Sequence, residues 1–259
     1  MHVSELFDLR GKVALVTGGA GKFGRQIVEA LAQAGARTVM ASRQVDPLQK
    51  QADAFAAQGL EVEARQLDQG DPGSITRLRD EMLEAHGQVD VLVNNAVARV
   101  MKRGWDETPE RFAESLQVNA VGLFLITRAF GDAMAERGSG SIINIGSIQG
   151  MVGLDLSLYE GLGMSSSPDY YMHKGGMMQL TRYVAARLGP RGVRVNTVTP
   201  GGMFADQHPT FVERYNQRTF LGRMANETDL KGAMVFLASD ASAYVTGANL
   251  VIDGGYTAK

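Results

Sequence analysis

The sequence predicts an α/β fold: a doubly wound parallel sheet of about seven strands with helices on both faces. Three observations predict it. Short apolar runs of strand character alternate with helical patterns along the whole chain, the first run enters a helix through a glycine-rich turn, and the least regular segments come directly after strands. With 259 residues and 44% hydrophobic content, the chain has enough apolar material for one large core. No linker or low-complexity stretch divides it, so residues 1–259 are expected to form a single domain.

Lys12 to Thr17 reads as a buried strand. The turn Thr17-Gly18-Gly19-Ala20-Gly21-Lys22-Phe23-Gly24 then opens a helix with Phe23, Ile27, Leu31 and Ala34 on one stripe. Thr38 to Ala41 gives a second strand, and Asp46-Pro47 reads as the N-cap and first turn of a helix through Phe55. Val62, Ala64 and Leu67 mark a third strand, Asp71-Pro72 caps a helix carrying Ile75, Leu78 and Met82, and Val89 to Val93 is a fourth strand. Thr108-Pro109 starts a helix, a longer one runs from Val121 to Met134, and Ser141 to Ile145 is a fifth strand. The helix Asp169 to Leu188, the strand Val193 to Val198, the helix Thr228 to Leu237 and the strand Leu250 to Ile252 complete the pattern. In open parallel sheets ligands bind outside the carboxyl ends of strands, so the irregular segments near 149–168 and 199–221 are expected to be the substrate loops.

Composition removes several function classes. The 26 basic and 28 acidic side chains leave no positive excess for a phosphate polymer or an anionic bilayer, which disfavours nucleic-acid and membrane partners. The absence of cysteine excludes disulfides, thiol nucleophiles and thiolate metal sites. Met1 to Arg10 lacks the basic start and apolar stretch of a signal peptide, and no later uninterrupted apolar run reaches roughly 18 residues. A cytoplasmic location is the expectation. The four histidines, at 2, 86, 173 and 208, have no metal-ligand spacing, so no metal is expected.

The chemistry centres on Tyr170 and Lys174. Four residues is slightly more than one helical turn, so phenol and ammonium project from one helix face. An ammonium held there favours phenolate over phenol, as a general acid/base for alcohol and carbonyl chemistry requires. The glycine turn is weak evidence alone, but between a first strand and a helix its amides and the helix dipole suit a pyrophosphate. Together the two features describe a nicotinamide-dependent redox enzyme.

These residues carry a wider resemblance. Thr17-Gly18 with Gly24, Asp68 after the third strand, Asn94-Asn95-Ala96 after the fourth, Asn119, Ser147, Tyr170 and Lys174 stand in order, followed by Asn196, Pro200-Gly201 and Asp253-Gly254-Gly255. The chain resembles, over essentially its full length, the compact single-domain short-chain dehydrogenase/reductases, which have a Rossmann-type sheet. The resemblance implies interconversion of a secondary alcohol and a ketone by hydride transfer at the nicotinamide. It implies Tyr170 as general acid/base, Ser147 bonded to the reacting oxygen, and Lys174 favouring the phenolate and holding the nicotinamide ribose. Asn119 would hold a water that links the lysine to solvent. The same resemblance places Gly18, Lys22, Phe23, Gly24, Ser42, Arg43, Asp68, Gln69, Asn95, Ala96, Pro200, Gly201 and Met203, with Tyr170 and Lys174, on the cofactor. A homotetramer or homodimer across the helices from Val121 and Asp169 is implied as well.

The departures from the family pattern carry information. The literal spacing Gly18, Gly21, Gly24 is that of the longer, epimerase-like relatives, with Lys22 where the short form has glycine. Lys22 either meets a phosphate or leaves the turn for solvent. Val97 replaces the glycine after Asn-Asn-Ala and narrows the nicotinamide end of the cleft, and Ala205 stands where a threonine often holds the carboxamide. At the end of the second strand Ser42 and Arg43 replace the acid that would bond the adenosine ribose of NAD. A hydroxyl and a guanidinium suit a 2′-phosphate, which favours NADP and leaves NAD open if Arg43 stacks on adenine.

Ser147 and Tyr170 lie 23 positions apart, against about a dozen in the family. The extra segment from Gly153 either lines the pocket, with Tyr159 and Glu160 toward a polyhydroxylated substrate, or packs against a subunit, or extends a surface loop. Arg99, Lys102 and Arg103 after the Asn-Asn-Ala segment either meet a substrate carboxylate or phosphate or are surface charge. The small-molecule substrate is expected to be a sugar acid or a polyol. The alternatives are a nucleotide-sugar epimerase or dehydratase and a non-catalytic cofactor sensor. Enoyl reduction is disfavoured, because the related reductases place tyrosine farther before lysine and Ser167 stands seven positions before Lys174.

Overall fold

In the computed structural model, which describes residues 2–258, seven parallel strands form one sheet in the order β3-β2-β1-β4-β5-β6-β7. In chain order the elements are β1 (Val13–Thr17), α1 (Lys22–Gln33), β2 (Arg37–Ser42), α2 (Val45–Ala56), β3 (Val62–Gln66), α3 (Pro72–His86) and β4 (Val91–Asn94). They continue with α4 (Pro109–Leu116), α5 (Leu123–Arg137), β5 (Gly140–Ile145), α6 (Pro168–Leu188), β6 (Val193–Pro200), α7 (Pro209–Asn216), α8 (Lys231–Ala238) and β7 (Asn249–Ile252).

Strand residues alternate between two cores because the side-chain period is two. Ala14 and Val16 join Ile27, Leu31, Leu48, Phe55, Met234 and Leu237 on the face covered by α1, α2 and α8. Val13 and Leu15 join Ile75, Met82, Ile126, Phe130 and Leu188 on the face covered by α3, α5 and α6. All five residues of β1 are buried, as a strand covered on both faces must be.

Three elements differ from the sequence reading. The helix expected to start at Asp46-Pro47 begins at Val45 with Gln44 as its N-cap, so Asp46 supplies first-turn charge to the helix dipole and not the cap. The helices expected at Thr108 and Val121 are one continuous helix, Pro109–Arg137, joined by a π-helical turn, Gln117–Gly122. By length and by a mean hydropathy of 1.2 this helix is long and apolar enough to cross a membrane; in this fold Ile126, Phe130 and Met134 on it are buried in the second core. Gly122 is why the turn sits where it does: a Cβ there would lie 2.1 Å from the Gln69 carbonyl oxygen. Finally, the 199–221 segment is not irregular throughout, since it contains the end of β6 and the whole of α7. The Asp71 cap is as read, its carboxylate accepting from the Gly73 and Ser74 amides with Pro72 in the first turn.

The strand order reverses between β1 and β4, the switch point at which such sheets bind ligands. Asn95 closes that edge, its Nδ2 donating to the Thr17 and Gly18 carbonyls at 3.0 and 2.9 Å, while the Asn95 and Ala96 amides both donate to Thr17 Oγ1 at 3.0 Å.

Candidate active site

One cavity of about 310 Å³ runs along the carboxyl edge of β4, β5 and β6. Its lining includes Ser147, Tyr170 and Lys174, together with Phe23, Asn95, Pro200, Gly201 and Met203. Ser147 follows β5 and caps a 3₁₀ turn, Ile148–Gly150, with its Oγ accepting from the Gln149 amide at 3.2 Å. Gly150 lets that turn press on α6, since a Cβ there would come within 2.7 Å of the Lys174 backbone. The serine and the lysine are thereby held in one register.

Lys174 is fully buried, and its Nζ donates to the Ile145 carbonyl at 2.5 Å. Burial, and then the Arg99 guanidinium, pull its ammonium down to about 7. The Tyr170 ring receives two cations, Arg99 Cζ at 4.2 Å from its centroid and Lys174 Nζ at 5.7 Å, and the edge of His173 at 5.1 Å. Among the described residues it is the only tyrosine with a cation over its ring. Burial pushes Tyr159 up to about 12 and also raises Tyr171 and Tyr215, so those phenols keep their protons. His173 is driven down to about 3, by burial first and by Lys174 next, and is neutral.

The structure places Asn119 in the π-helical turn, but its carboxamide does not face Lys174. Nδ2 donates to the Ala98 carbonyl at 2.8 Å and to Ser115 Oγ at 3.0 Å, and Oδ1 accepts from the Ala98 amide at 2.8 Å. Gln69 differs from expectation in the same way: its side chain turns inward and Nε2 donates to the Val118 carbonyl at 3.0 Å, supporting the π-helical turn. Asp68 Oδ1 is taken by the Gly70 amide at 2.9 Å, and Ser42 Oγ donates to the Gln44 carbonyl at 3.0 Å. Arg43 and Lys22 are exposed at the ends of β2 and of the glycine turn.

The glycine turn is a cradle that side chains would fill. A Cβ on Gly24 would lie 2.2 Å from the Gly18 carbonyl oxygen, and one on Gly18, whose φ is +66°, would lie 2.9 Å from Ala96 Cα. Gly21 at the start of α1 supplies no side-chain cap, which leaves the helix amides for an anion. A second cavity beside them is lined by Ala20, Gly21, Lys22, Arg25 and Gln26. This cradle fits the pyrophosphate of a dinucleotide, which the amides at the start of α1 would hold.

The extra segment after Ser147 is pinned. Asp155 pairs with Arg218, Arg218 Nη2 donates to Ser157 Oγ at 2.5 Å, and Arg214 Nη1 donates to the Glu160 carbonyl at 2.7 Å. Leu158 packs with Ile148, Phe211, Tyr215 and Met224 in a third, small core. Of the readings open for this segment, lining the pocket holds for Tyr159, whereas Glu160 is exposed and outside the cavity. Gln207 also lines the cavity near the Ala205 position, bridging the Met203 carbonyl at 2.7 Å and the Ala205 amide at 2.8 Å. The expected substrate loops contain Gln149, Gln207, Phe211 and Tyr215 of the lining, though spacing singled out none of them, and Met224 lies beyond those loops and joins the lining through the third core.

A doubly wound sheet with a dinucleotide cradle at its switch point and a serine, tyrosine and lysine at its carboxyl edge defines an NAD(P)-dependent oxidoreductase acting on CH–OH groups. The chain belongs to the short-chain dehydrogenase/reductases. Residues 19–257 match a family model described as "Enoyl-(Acyl carrier protein) reductase". The chain is similar to galactitol 2-dehydrogenase (L-tagatose-forming) of Cereibacter sphaeroides, 35% identical over 264 residues that cover 99% of each chain. Among solved structures it is similar to a short-chain type dehydrogenase/reductase from Mycobacterium marinum, 34% identical with a TM-score of 0.89. It is also similar to a gluconate 5-dehydrogenase from Burkholderia cenocepacia J2315 in complex with NADP and tartrate, 30% identical with a TM-score of 0.88. Both structures are matched over 100% of each chain. The protein interconverts alcohol and ketone with a nicotinamide cofactor.

Proposed function

We propose that the enzyme is an NADP-preferring dehydrogenase/reductase of a sugar acid or polyol, working as a single domain with Tyr170 as general acid/base. The observation that carries the substrate class is the charge of the catalytic cavity. Arg99 and Lys174 line it, and no aspartate or glutamate stands among its lining residues. Glu107, in the segment that follows Arg99, is taken by Arg103 and by the Lys102, Arg103 and Thr108 amides. A substrate carboxylate beside Arg99 would complete the charge balance with directed donors. The names of the galactitol and gluconate dehydrogenases above support the polyhydroxylated half of this reading.

In the reaction, Tyr170 exchanges a proton with the substrate oxygen and Ser147 donates a hydrogen bond to it. Lys174 stands beside the Tyr170 ring, and a water held on the main chain of Asn119, whose side chain is committed to Ala98 and Ser115, would carry protons between the lysine and solvent. The cofactor, when bound, accepts or delivers the hydride. Gly18, Phe23, Gly24, Asn95, Ala96, Pro200, Gly201 and Met203 line its path, with Asp68 and the Gln69 backbone behind the adenosine. Arg43, with Lys22, is the proposed reader of the 2′-phosphate, the Ser42 hydroxyl being turned to the Gln44 carbonyl. A homotetramer or homodimer across α5 and α6, where Phe124 and Tyr183 stand exposed, and a cytoplasmic setting belong to the same reading.

The test is initial-rate absorbance of reduced nicotinamide across aldonates, polyols and neutral ketones, with each cofactor, for wild type and Tyr170→Phe. Turnover favouring aldonates or polyols with NADP, abolished in the variant, is expected. A Tyr170→Phe enzyme that keeps its rate would overturn the acid/base assignment, and equal turnover of simple ketones would overturn the substrate class.

A further inference from the structure

Asp169 is the carboxylate nearest in sequence to the acid/base tyrosine, and it is 2% exposed at the first turn of α6. It is not the helix cap, which is Ser167. A buried carboxylate is costly unless its oxygens are bonded. One oxygen of Asp169, Oδ2, accepts from Ser115 Oγ, a fully buried hydroxyl on α4, while Oδ1 is buried with no hydrogen-bond partner among the described residues, so Ser115 is what holds this carboxyl in place. From there side-chain bonds run without interruption: Asn119 Nδ2 donates to Ser115 Oγ at 3.0 Å, and Asn119 Oδ1 accepts from the Ala98 amide at 2.8 Å. The next residue is Arg99, whose guanidinium carbon lies 4.2 Å from the Tyr170 ring centroid. The path leaves the residue before Tyr170 and returns to the Tyr170 ring.

Every link in this circuit has one polarity. The Ala98 amide donates to Asn119, the Asn119 amide to Ser115, and the Ser115 hydroxyl to Asp169 Oδ2, the acceptor that ends the chain. A neutral hydroxyl in place of that carboxylate would leave the direction of the Ser115 proton open. The carboxylate fixes it, and so fixes which lone pair of Ser115 meets Asn119 and where Asn119 holds the Ala98 backbone. We infer that Asp169 is a positioning residue for Tyr170, acting through Ser115 and Asn119 to set the Ala98–Arg99 segment against the tyrosine ring. This rests on the reading of Tyr170 as the acid/base.

The experiment compares kcat, the KM for NADP and Tm for Asp169→Ala, Ser115→Ala, their double variant and Asp169→Asn. Tyr170→Phe is assayed beside them. Ser141→Ala serves as a structural control, because its Oγ donates to the Leu237 carbonyl at 2.7 Å in a buried position that touches none of these residues. Displacement of a reacting group by about 1 Å can cost on the order of 100-fold in rate. Asp169→Ala and Ser115→Ala are therefore expected to lose roughly 10- to 100-fold in kcat with an unchanged KM for NADP, and the double variant to lose no more than either. Asp169→Asn retains an acceptor for Ser115 and is expected within about fivefold of wild type. Ser141→Ala is expected to lower Tm at constant kcat.

A kcat within about twofold of wild type in Asp169→Ala, or equal losses in Asp169→Asn and Asp169→Ala, would overturn the inference. So would independent, multiplying losses in the double variant. Should Asp169→Ala fail to fold, Ser115→Ala decides by the same criterion. An active Tyr170→Phe enzyme would defeat the acid/base reading itself, whereas an inactive one beside a fully active Asp169→Ala would defeat only this inference.

Discussion

Arg99 lies on the ring of Tyr170, its guanidinium carbon 4.2 Å from the centroid, and it shares the catalytic cavity with no acidic side chain. A cation on an aromatic face keeps its in-plane N–H groups available at its rim, which is where a bidentate carboxylate bonds. Replacing Arg99 with methionine retains an apolar stem and removes those donors. Loss of a charge-assisted hydrogen bond is worth about 1.5–3 kcal/mol, so KM for an aldonate is expected to rise on the order of 10- to 100-fold. KM for an uncharged polyol of the same length is expected within about threefold of wild type. Parallel kinetics on the two substrates measure the difference, and equal effects on both would remove the carboxylate from the reading.

The glycine turn predicts a contrast between two neighbours. Gly24→Ala places a Cβ 2.2 Å from the Gly18 carbonyl oxygen and 2.9 Å from Gly19 backbone atoms, which forces the turn open. Gly21→Ala meets the same oxygen only at 3.3 Å, at an ordinary φ of −68°. Titration of each variant with NADPH by fluorescence is expected to show affinity lost by at least about 100-fold in Gly24→Ala, and a change of only a few fold in Gly21→Ala.

Much of this architecture was legible in the chain because the signals were local. Asp71-Pro72 and Thr108-Pro109 read directly as helix starts, since capping chemistry is set by adjacent residues. The order of Ser147, Tyr170 and Lys174 foretold that the three share one cavity for a similar reason: two of them lie on one helix and the third follows the end of β5. What escaped the sequence depended on tertiary approach. The π-helical turn at Gln117–Gly122 arises where Gly122 meets the Gln69 backbone 53 positions away, and no periodicity announces it. The inward turn of Gln69 and the commitment of Asn119 to Ala98 follow from that same packing. The segment after Ser147 left several readings open because its anchors, Arg214 and Arg218, lie more than 50 positions downstream.

Those anchors predict a selective defect. Arg218→Ala removes the pairing with Asp155 and the bond to Ser157, both partly exposed, so the loss is about 1 kcal/mol or less after solvent screening. Because Tyr159 reaches the cavity from this segment, the expected effect is a rise of roughly two- to fivefold in substrate KM with the KM for NADP unchanged. Limited proteolysis is expected to cut between residues 153 and 165 faster in the variant. An unchanged substrate KM would reduce the segment to a surface loop.

Arg43 predicts the cofactor ratio. It is exposed just past β2, and the Ser42 hydroxyl is turned to the Gln44 carbonyl, so the guanidinium is the group free to follow a 2′-phosphate. Arg43→Ala is expected to reduce kcat/KM with NADP by about 10- to 100-fold, since a charge-assisted contact of about 1.5–3 kcal/mol is lost. The value with NAD is expected to change by less than about threefold. Equal losses with both cofactors would assign Arg43 to adenine stacking.

The buried Lys174 and His173 each make folding depend on pH. The Lys174 ammonium falls from its ordinary 10.5 to about 7 on folding, through burial first and Arg99 second. Below pH 7 both folded and unfolded chains carry that proton, and the folded state bears the cost of the buried charge. Between about 7 and 10.5 the unfolded chain binds one proton more than the folded one, so stability rises with pH across this window. His173 acts with the same sign at lower pH: folding takes its imidazole from 6.5 to about 3, so its contribution increases as pH rises from 3 to 6.5 and is lost on acidification. Thermal unfolding of wild type, Lys174→Met and His173→Phe across pH 4–10 separates the two. The Lys174→Met variant should gain most over wild type at pH 7 and below, and that advantage should shrink toward pH 10. The difference between His173→Phe and wild type should instead change only below about pH 6.5 and be flat above it. A pH-independent gap for Lys174→Met would mean that the ammonium keeps its ordinary affinity for the proton inside the fold, and that the cation at Tyr170 stays charged across the whole working range.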